Sequence, residues 1–425
     1  MKKGKERKAR GKSETKEPSL RFIKEVSGMN TAELKKKFFG IYGGSETDIR
    51  TFFSPGRVNL IGEHTDYNGG YVFPAALTLR STIIARPRTD RVVRLIATDL
   101  GIQVEGSLDK LEEYKGLKWG NYQLGVADEL QKAGYKLTGC DLLYHDTVPL
   151  GAGLSSSAAI EVATAITLVS LGNSAHGLDQ PVDMIQMALI SQKAENNYAG
   201  VNCGIMDQFA SAMGRANNAI FLNCRDLSYK HVPLNLKGYR IIVVNTNKKR
   251  GLADSKYNER RSQCEQAYDI LKKYVPNASC LGEISLEQFD KYKDRIEDET
   301  IRKRAQHVIS EDDRVLKSID ALNNDDIALF GKYMIESHNS LRDLYEVTGT
   351  ELDTLVEEAL KIKGTAGARM TGAGFGGCTV SIVREDAVDE FIEKVGRGYT
   401  ARTGLTPSFY ISEVGDGGRE LKGAE

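Results

Sequence analysis

The chain has 425 residues, of which 40% are apolar and 27% charged, with 58 basic against 58 acidic side chains. That length exceeds the ~100–200 residues of a usual domain, so two domains are expected. The balanced charge argues against nucleic acid as a partner. The sequence shows no apolar run of the length that spans a bilayer, so no membrane partner is expected. The N-terminus is basic but lacks the apolar core of a secretory signal, which leaves the cytoplasm as the expected location. The six cysteines are scattered without CxxC spacing, as structural thiols of a reducing compartment would be.

Residues 1–28 form a basic extension, nearly devoid of apolar side chains over its first 18 positions, and are predicted to be disordered. Met29-Asn30-Thr31-Ala32-Glu33-Leu34 reads as a fresh start, an N-cap leading into a helix. Everything before Met29 is therefore expected to be dispensable. The stretch from Phe53 to Gly70 begins apolar, is predicted to turn at Pro55-Gly56, and runs apolar again. It then presents Glu63, His64, Thr65 and Asp66 in a row before turning at Asn68-Gly69-Gly70. Four adjacent polar side chains with mixed donors and acceptors suit a small, hydroxyl-rich ligand. They would equally suit a polar turn between strands.

Strands are predicted at 81–85, 92–97 and 141–148, with a helix over 123–132 between them. Helices follow at 158–171, 183–198 and 204–213, then strands at 219–223 and 240–245. Beyond Asp254 the pattern turns mostly helical, over 254–274, 285–293, 299–322, 325–345 and 351–362. A strand at 378–383, a helix over 385–398 and a strand at 408–412 complete a mixed α+β chain. The division between its halves is placed near residues 215–235.

Two glycine-rich loops punctuate this order. Gly151-Ala152-Gly153-Leu154-Ser155-Ser156-Ser157 lies between an apolar strand and an apolar helix. Glycines admit a ligand close to the backbone, and the free amides of a helix N-terminus favour anions, so this is a phosphate cradle by design. It is not a P-loop, because no GK[ST] ends it. Gly372-x-Gly374-x-x-Gly377 formally matches a dinucleotide fingerprint but leads into a strand, so it is read as a tight loop at a cleft wall.

In this order and at this wide spacing, the three motifs resemble the GHMP kinase superfamily. Gly56-Arg57-Val58-Asn59-Leu60-Ile61-Gly62-Glu63-His64-Thr65-Asp66-Tyr67-Asn68 is similar to the galactokinase signature almost letter for letter. The resemblance covers about residue 30 to the C-terminus. It implies an α+β, two-domain fold: an N-terminal domain over 29–228 like ribosomal protein S5 domain 2, a C-terminal α+β domain over 229–425, and an active site in the cleft between them. It implies transfer of the ATP γ-phosphoryl group to the C1 hydroxyl of α-D-galactose, the entry step of the Leloir pathway, by a monomer using Mg2+. Carried over residue by residue, Glu63, His64, Thr65, Asp66, Gly204 and Tyr257 belong to the sugar site. Asp207, in Cys203-Gly204-Ile205-Met206-Asp207-Gln208, is the catalytic carboxylate, and it too touches the sugar. Gly151 to Ser157 hold phosphates, Ser157 and Glu195 hold Mg2+, and Trp119 and Tyr122 flank the adenine.

The chemistry is consistent with those roles. Phosphoryl transfer asks for positioning and charge stabilisation, and Mg2+ takes oxygen ligands. An ordinary Asp ionises near ~3.9, so Asp207 is a charged but weak base whose help must come late, or which orients the hydroxyl instead. Arg57 is expected beside it, offsetting developing negative charge. Asp66 and Tyr257 are expected to matter most for recognition, and His64 could instead hold the loop. Two other readings fit the motifs: a related kinase for N-acetylgalactosamine or arabinose, and a non-catalytic galactose and ATP sensor. The intact Ser155-Ser156-Ser157 run speaks against the sensor.

Overall fold

A computed structural model of the protein describes Phe22 and residues 29–248 and 253–422. The first helix, α1 (Thr31–Tyr42), begins where the cap predicts. Asn30 accepts from the Glu33 amide at 2.9 Å, and Glu33 accepts from the Asn30 amide at 3.0 Å. That reciprocal pair satisfies donors a helix start otherwise leaves open.

The N-terminal lobe then runs β1 (Arg50–Asn59), β2 (Tyr71–Val72), β3 (Pro74–Pro87), β4 (Val92–Ala97), β5 (Ile102–Ser107), α2 (Gly120–Lys132) and β6 (Cys140–Asp146). It continues with α3 (Ser156–Ala175), α4 (Met184–Ala194), α5 (Met206–Met213), β7 (Asn218–Asn223) and β8 (Tyr229–Pro233). The C-terminal lobe comprises β9 (Tyr239–Asn245), α6 (Ala253–Leu271), α7 (Leu286–Tyr292), α8 (Glu299–Asn323), α9 (Ile327–Ser340), α10 (Thr350–Leu360), β10 (Thr365–Thr371), β11 (Cys378–Arg384), α11 (Val388–Thr403) and β12 (Ser408–Ser412). The chain ends with β13 (Arg419–Leu421).

Among the described residues three sheets organise these elements: β13-β1-β3-β6-β4-β5, β10-β11-β9-β12, and the small β2-β7-β8. Two features correct the expected domain limits. The division at 228/229 cuts the β7–β8 hairpin, where Leu222 pairs with Tyr229. The last strand returns to the first sheet, Thr51 opposite Leu421. The lobes are therefore not two consecutive halves of the chain.

Pro55-Gly56 is a third correction. The chain does not turn there. β1 runs straight through, paired with β3 on both sides, with a register shift between Pro55 and Arg57. Pro and Gly mark a bulge here, which bends the strand without ending it. α3 is a fourth. It is long and apolar enough to cross a membrane by length and composition, and its described surface is mostly buried within the protein. It packs on β1 and β3 and against α2, α4 and α5, so it is the central core helix of its lobe.

Phe22 corrects part of the reading of residues 1–28; the rest of that extension lies outside the described residues. Phe22 is buried, its ring edge-on to Phe409 at 6.2 Å, and its carbonyl accepts from the Phe409 amide at 3.1 Å. It sits on Gly396, where any side chain would strike the ring. At the other lobe, the Met29 amide donates to His145 Nε2 at 3.1 Å. Phe22→Ala is therefore expected to lower stability by about 3 kcal/mol, the usual cost of emptying an aromatic site. A shifted denaturant midpoint with an unchanged slope checks this, and an unchanged midpoint counts against it.

Candidate active site

The three motifs meet. β1 carries Arg57 into the cleft, and the bulge brings Gly56 so close to the Leu154 carbonyl that a Cβ would lie 2.6 Å from it. Only glycine lets β1 run along the serine loop at that distance. The Arg57 amide donates to Leu154 O at 3.1 Å, and Arg57 Nη1 donates to Gly153 O at 2.8 Å. From the other lobe, the β10–β11 loop reaches the same place: the Gly372 amide donates to Glu63 Oε1, and Gly372 lies against Gly153.

Arg57 and Asp207 form the centre. Arg57 Nε donates to Asp207 Oδ1 at 2.8 Å, and Nη2 is 2.7 Å from the same oxygen. Ser155 donates to Asp207 Oδ2. Ser155 is the N-cap of α3 and adopts φ 59°, ψ 50°, a left-handed conformation sparsely used outside glycine. Asp207 stands in the first turn of α5, where the helix dipole favours a carboxylate.

A cavity of about 430 Å³ opens beside this pair. Arg57, Glu63, His64, Asp66, Tyr67, Tyr122, Glu195, Gly204, Asp207 and Tyr257 line it, with Gly372 and Ala373 from the second glycine loop. Gly204 faces Asp66, and an added Cβ would collide with the Asp66 carboxylate. No alanine side chain fits at Gly204 unless the Asp66 carboxylate moves. Burial and the neighbouring Asp207 charge push the Asp66 carboxyl up to about 7.

Glu63 is fully buried and works in two directions. Its Oε2 accepts from Asn59 Nδ2, and its backbone carbonyl accepts from His307 Nε2 at 3.1 Å. Burial raises its pKa, with Arg369 and Arg57 opposing the rise. His64, at φ 63°, pairs Nδ1 with the Tyr67 hydroxyl at 2.8 Å. Its Nε2 makes no hydrogen bond of ordinary geometry, although the Ala373 backbone lies close enough to act on the ring. Burial lowers its pKa to about 3, so it is neutral. Tyr257 stacks its edge near Tyr67 at 5.3 Å and leans on His64 at 5.6 Å.

Four residues stand elsewhere than the sequence suggested. Thr65 is buried away from the cavity, its one hydroxyl proton shared between the carbonyls of Gly62 and Tyr71 at 2.9 and 2.6 Å. It shapes the loop that carries its neighbours. Trp119 packs edge-on to Tyr144 at 5.4 Å in the N-terminal core, while Tyr122 reaches the cavity. Ala152 and Leu154 turn their side chains into the core, so only their backbone faces the loop's ligand side; Gly151 is exposed.

Glu195 begins a π-helical turn, Glu195–Ala199, that ends α4. The expected helix 183–198 thus changes pitch at this residue, as helices often do at functional sites. Ser157 stands near enough to Glu195 to lower its pKa, and Gln208 Nε2 donates to Glu195 Oε2 at 2.6 Å and to Glu161 Oε2 at 3.0 Å. Burial and the Asp207 charge push Glu195 up to about 7. Glu161 Oε1 and Gln208 Oε1 are buried without partners. A hydroxyl and a carboxylate in an electron-rich, under-satisfied cluster fit Mg2+, provided phosphate and water oxygens complete its shell. Among the described residues, no group of three or more His, Cys, Asp or Glu would hold a metal unaided.

Sequence reasoning placed the Gly372 loop at a cleft wall but missed Tyr67, Gln208 and Glu161. Tyr67 and Gln208 stood inside quoted motifs and carried a signal. Glu161 did not, since a carboxylate in an apolar helix gains its meaning only from what packs opposite.

The sequence and the fold resemble those of known proteins. Residues 36–87 match the galactokinase galactose-binding signature, residues 121–215 the GHMP kinases N terminal domain, and residues 318–401 the GHMP kinases C terminal model. The chain is 51% identical over 392 residues to a galactokinase of Clostridium acetobutylicum, covering 91% of this chain and 98% of that one. It is 52% identical over 379 residues to one of Fusobacterium nucleatum, covering 88% and 96%. The crystal structure of Lactococcus lactis galactokinase complexed with galactose superposes with a TM-score of 0.87 at 43% identity, covering 92% of this chain and 99% of that one. Methanococcus jannaschii mevalonate kinase, at 17% identity, a TM-score of 0.61 and coverage of 87% and 99%, shares the fold. The chain belongs to the galactokinase family of the GHMP kinases.

Proposed function

We propose that the chain transfers the γ-phosphoryl group of ATP to the C1 hydroxyl of α-D-galactose, giving galactose 1-phosphate and ADP. The observation that carries this is the Arg57–Asp207–Ser155 cluster at the edge of a cavity walled by Glu63, His64, Asp66 and Tyr257. Galactose hydroxyls meet Asp66, Glu63 and the neutral His64, and Gly204 keeps that wall open. His64 Nε2 is buried at the cavity wall without a hydrogen bond of ordinary geometry. Asp207 takes a hydrogen bond from the C1 hydroxyl and receives its proton late, as the bond to phosphorus forms.

The backbone amides of residues 151–157 and the Ser156 hydroxyl hold the phosphates at the N-terminus of α3, and the Ser155 hydroxyl joins them when it leaves Asp207 Oδ2. Ser156 Oγ is buried with no partner, which suits it to accept or donate one more hydrogen bond. Arg57 offsets charge on the transferring group. Tyr122 flanks the adenine, with Trp119 supporting the helix start behind it. Ser157 and Glu195 would hold Mg2+, which would supply positive charge to the phosphates. The six cysteines are free thiols, which supports a reducing cytoplasm. The chain acts as a monomer, which light scattering checks. A coupled assay with galactose and Mg-ATP tests the whole reading: turnover with galactose is expected, and galactose binding without ADP release would overturn it.

A further inference from the structure

Behind the cavity wall, side chains from both lobes form one hydrogen-bonded line. His64 Nδ1 is 2.8 Å from the Tyr67 hydroxyl, which is 2.9 Å from the Tyr345 hydroxyl, and that oxygen is 3.1 Å from Cys264 Sγ. His64 and Tyr67 line the cavity, whereas Tyr345 is fully buried behind them. Tyr345 is firmly held. It ends the π-helical turn Leu341–Tyr345, where buried Arg260 donates to its carbonyl at 2.7 Å and buried Arg304 donates to that of Leu344. Its ring leans on His64 and His307, with centroids 4.8 and 4.5 Å away.

Each hydroxyl carries one proton, so the line can run in either of two directions. Running away from His64, Nδ1–H would donate to a phenol and the last phenol to sulfur, a weak acceptor. Running toward His64, the thiol donates to Tyr345, Tyr345 to Tyr67, and Tyr67 to a bare imidazole nitrogen, the best acceptor of the four atoms. Asn68 supports the second direction. Its Nδ2 donates to the His64 carbonyl at 2.8 Å, which fixes its amide, and it acts on the Cys264 thiol as a donor does, leaving S–H to point at Tyr345. The bond at one imidazole nitrogen decides where the proton resides. With Nδ1 accepting, the neutral His64 carries its proton on Nε2. The Ala373 backbone beside the ring favours an N–H there, since it acts to stabilise the protonated form.

We propose that Tyr345 is a positioning residue for the sugar site: through Tyr67 it fixes the orientation and tautomer of His64, with the proton on Nε2. The tautomer matters because the same wall holds the carboxyl groups of Glu63 and Asp66. A sugar hydroxyl has one proton to give and lone pairs to fill, so a wall of acceptors alone leaves it half paired. A fixed Nε2–H keeps His64 from becoming one more acceptor. Tyr345 acts by filling the Tyr67 oxygen, so that the Tyr67 proton has only His64 to meet. The service to sugar binding rests on the sugar-site reading above, whereas the tautomer does not.

The test uses the full chain carrying isotope-labelled histidine, without ligand. Two-bond proton–nitrogen correlation spectra tell the two neutral tautomers apart, and His64→Gln identifies the His64 signals. The wild type is expected to show one tautomer, protonated on Nε2. Tyr345→Phe removes one oxygen and keeps the ring. It is expected to bring in a measurable Nδ1–H population and to raise the galactose KM about three- to tenfold, with kcat changed less than about twofold. Tyr67→Phe, which takes away the direct partner of Nδ1, is expected to disturb the tautomer at least as much, so the result does not depend on one variant folding. A hydroxyl that only fills the core would lower stability in these variants and leave the tautomer alone. An Nδ1-protonated His64 in the wild type, or the wild-type tautomer in both variants, would overturn the proposal. The spectra need no turnover, so they stand apart from the coupled assay. A changed tautomer with an unmoved galactose KM would overturn the role in sugar binding alone.

Discussion

Asp207→Asn is expected to lower kcat by about 10³-fold or more while the galactose KM changes less than about tenfold. The carboxylate is held by three side-chain bonds, two from Arg57 and one from Ser155, which fix both of its oxygens. An amide keeps the volume but cannot accept a proton, and it places an N–H against the Arg57 fork or the Ser155 hydroxyl. The cavity wall of Glu63, His64 and Tyr257 is untouched, so sugar binding is expected to persist. Steady-state kinetics with a separate galactose titration checks this. Near-normal kcat would remove Asp207 from the chemistry, and a collapse of sugar affinity with kcat retained would make it a binding residue only.

Arg57→Met is expected to lower kcat by about 10²–10³-fold and to move the acid limb of the pH–rate profile upward. Methionine keeps much of the stem but loses the bonds to Asp207 and to the Gly153 carbonyl. The sign of the pH effect follows from Arg57 holding down the pKa values of both Glu63 and Asp66. Without the guanidinium, these carboxyls stay protonated to higher pH, and activity that needs them ionised appears later as pH rises. Asp66 already sits at about 7, so the shift falls in an accessible range. Arg57→Lys should restore most of the pH profile through its charge but not the full kcat, because an ammonium cannot span Asp207 and Gly153 together. A profile that does not move in Arg57→Met would show that the arginine acts on the phosphoryl group alone.

What was legible beforehand had local causes. The N-cap of α1 is written within four residues, and the capping box forms as read. The helices of the C-terminal lobe follow a 3.6-residue period that survives their packing. The two glycine loops announced themselves by composition, and the row Glu63-His64-Thr65-Asp66 by its mix of donors and acceptors. Even the expectation that Arg57 would meet Asp207 began in the sequence, through the resemblance of their motifs.

The tertiary structure decided what no window of residues contains. Pro55-Gly56 has the local chemistry of a turn, but pairing with β3 on both sides overrides it and leaves a bulge pressed on Leu154. Thr65 shares a row with three cavity residues, yet backbone carbonyls at Gly62 and Tyr71 claim its hydroxyl. β10 lacks the β-branched density of a strand and becomes one because α9 covers it, Gly331 against Gly367. Phe22 looked like part of a solvated tail until Gly396 and Phe409 supplied its pocket. The sequence by itself determined which chemical groups the chain carries and the short elements that hold them. Arg57 and Asp207 are 150 residues apart, and the two walls of the cavity come from different lobes. Their meeting is a property of packing, because only the burial of distant apolar faces against one another brings such groups within bonding distance.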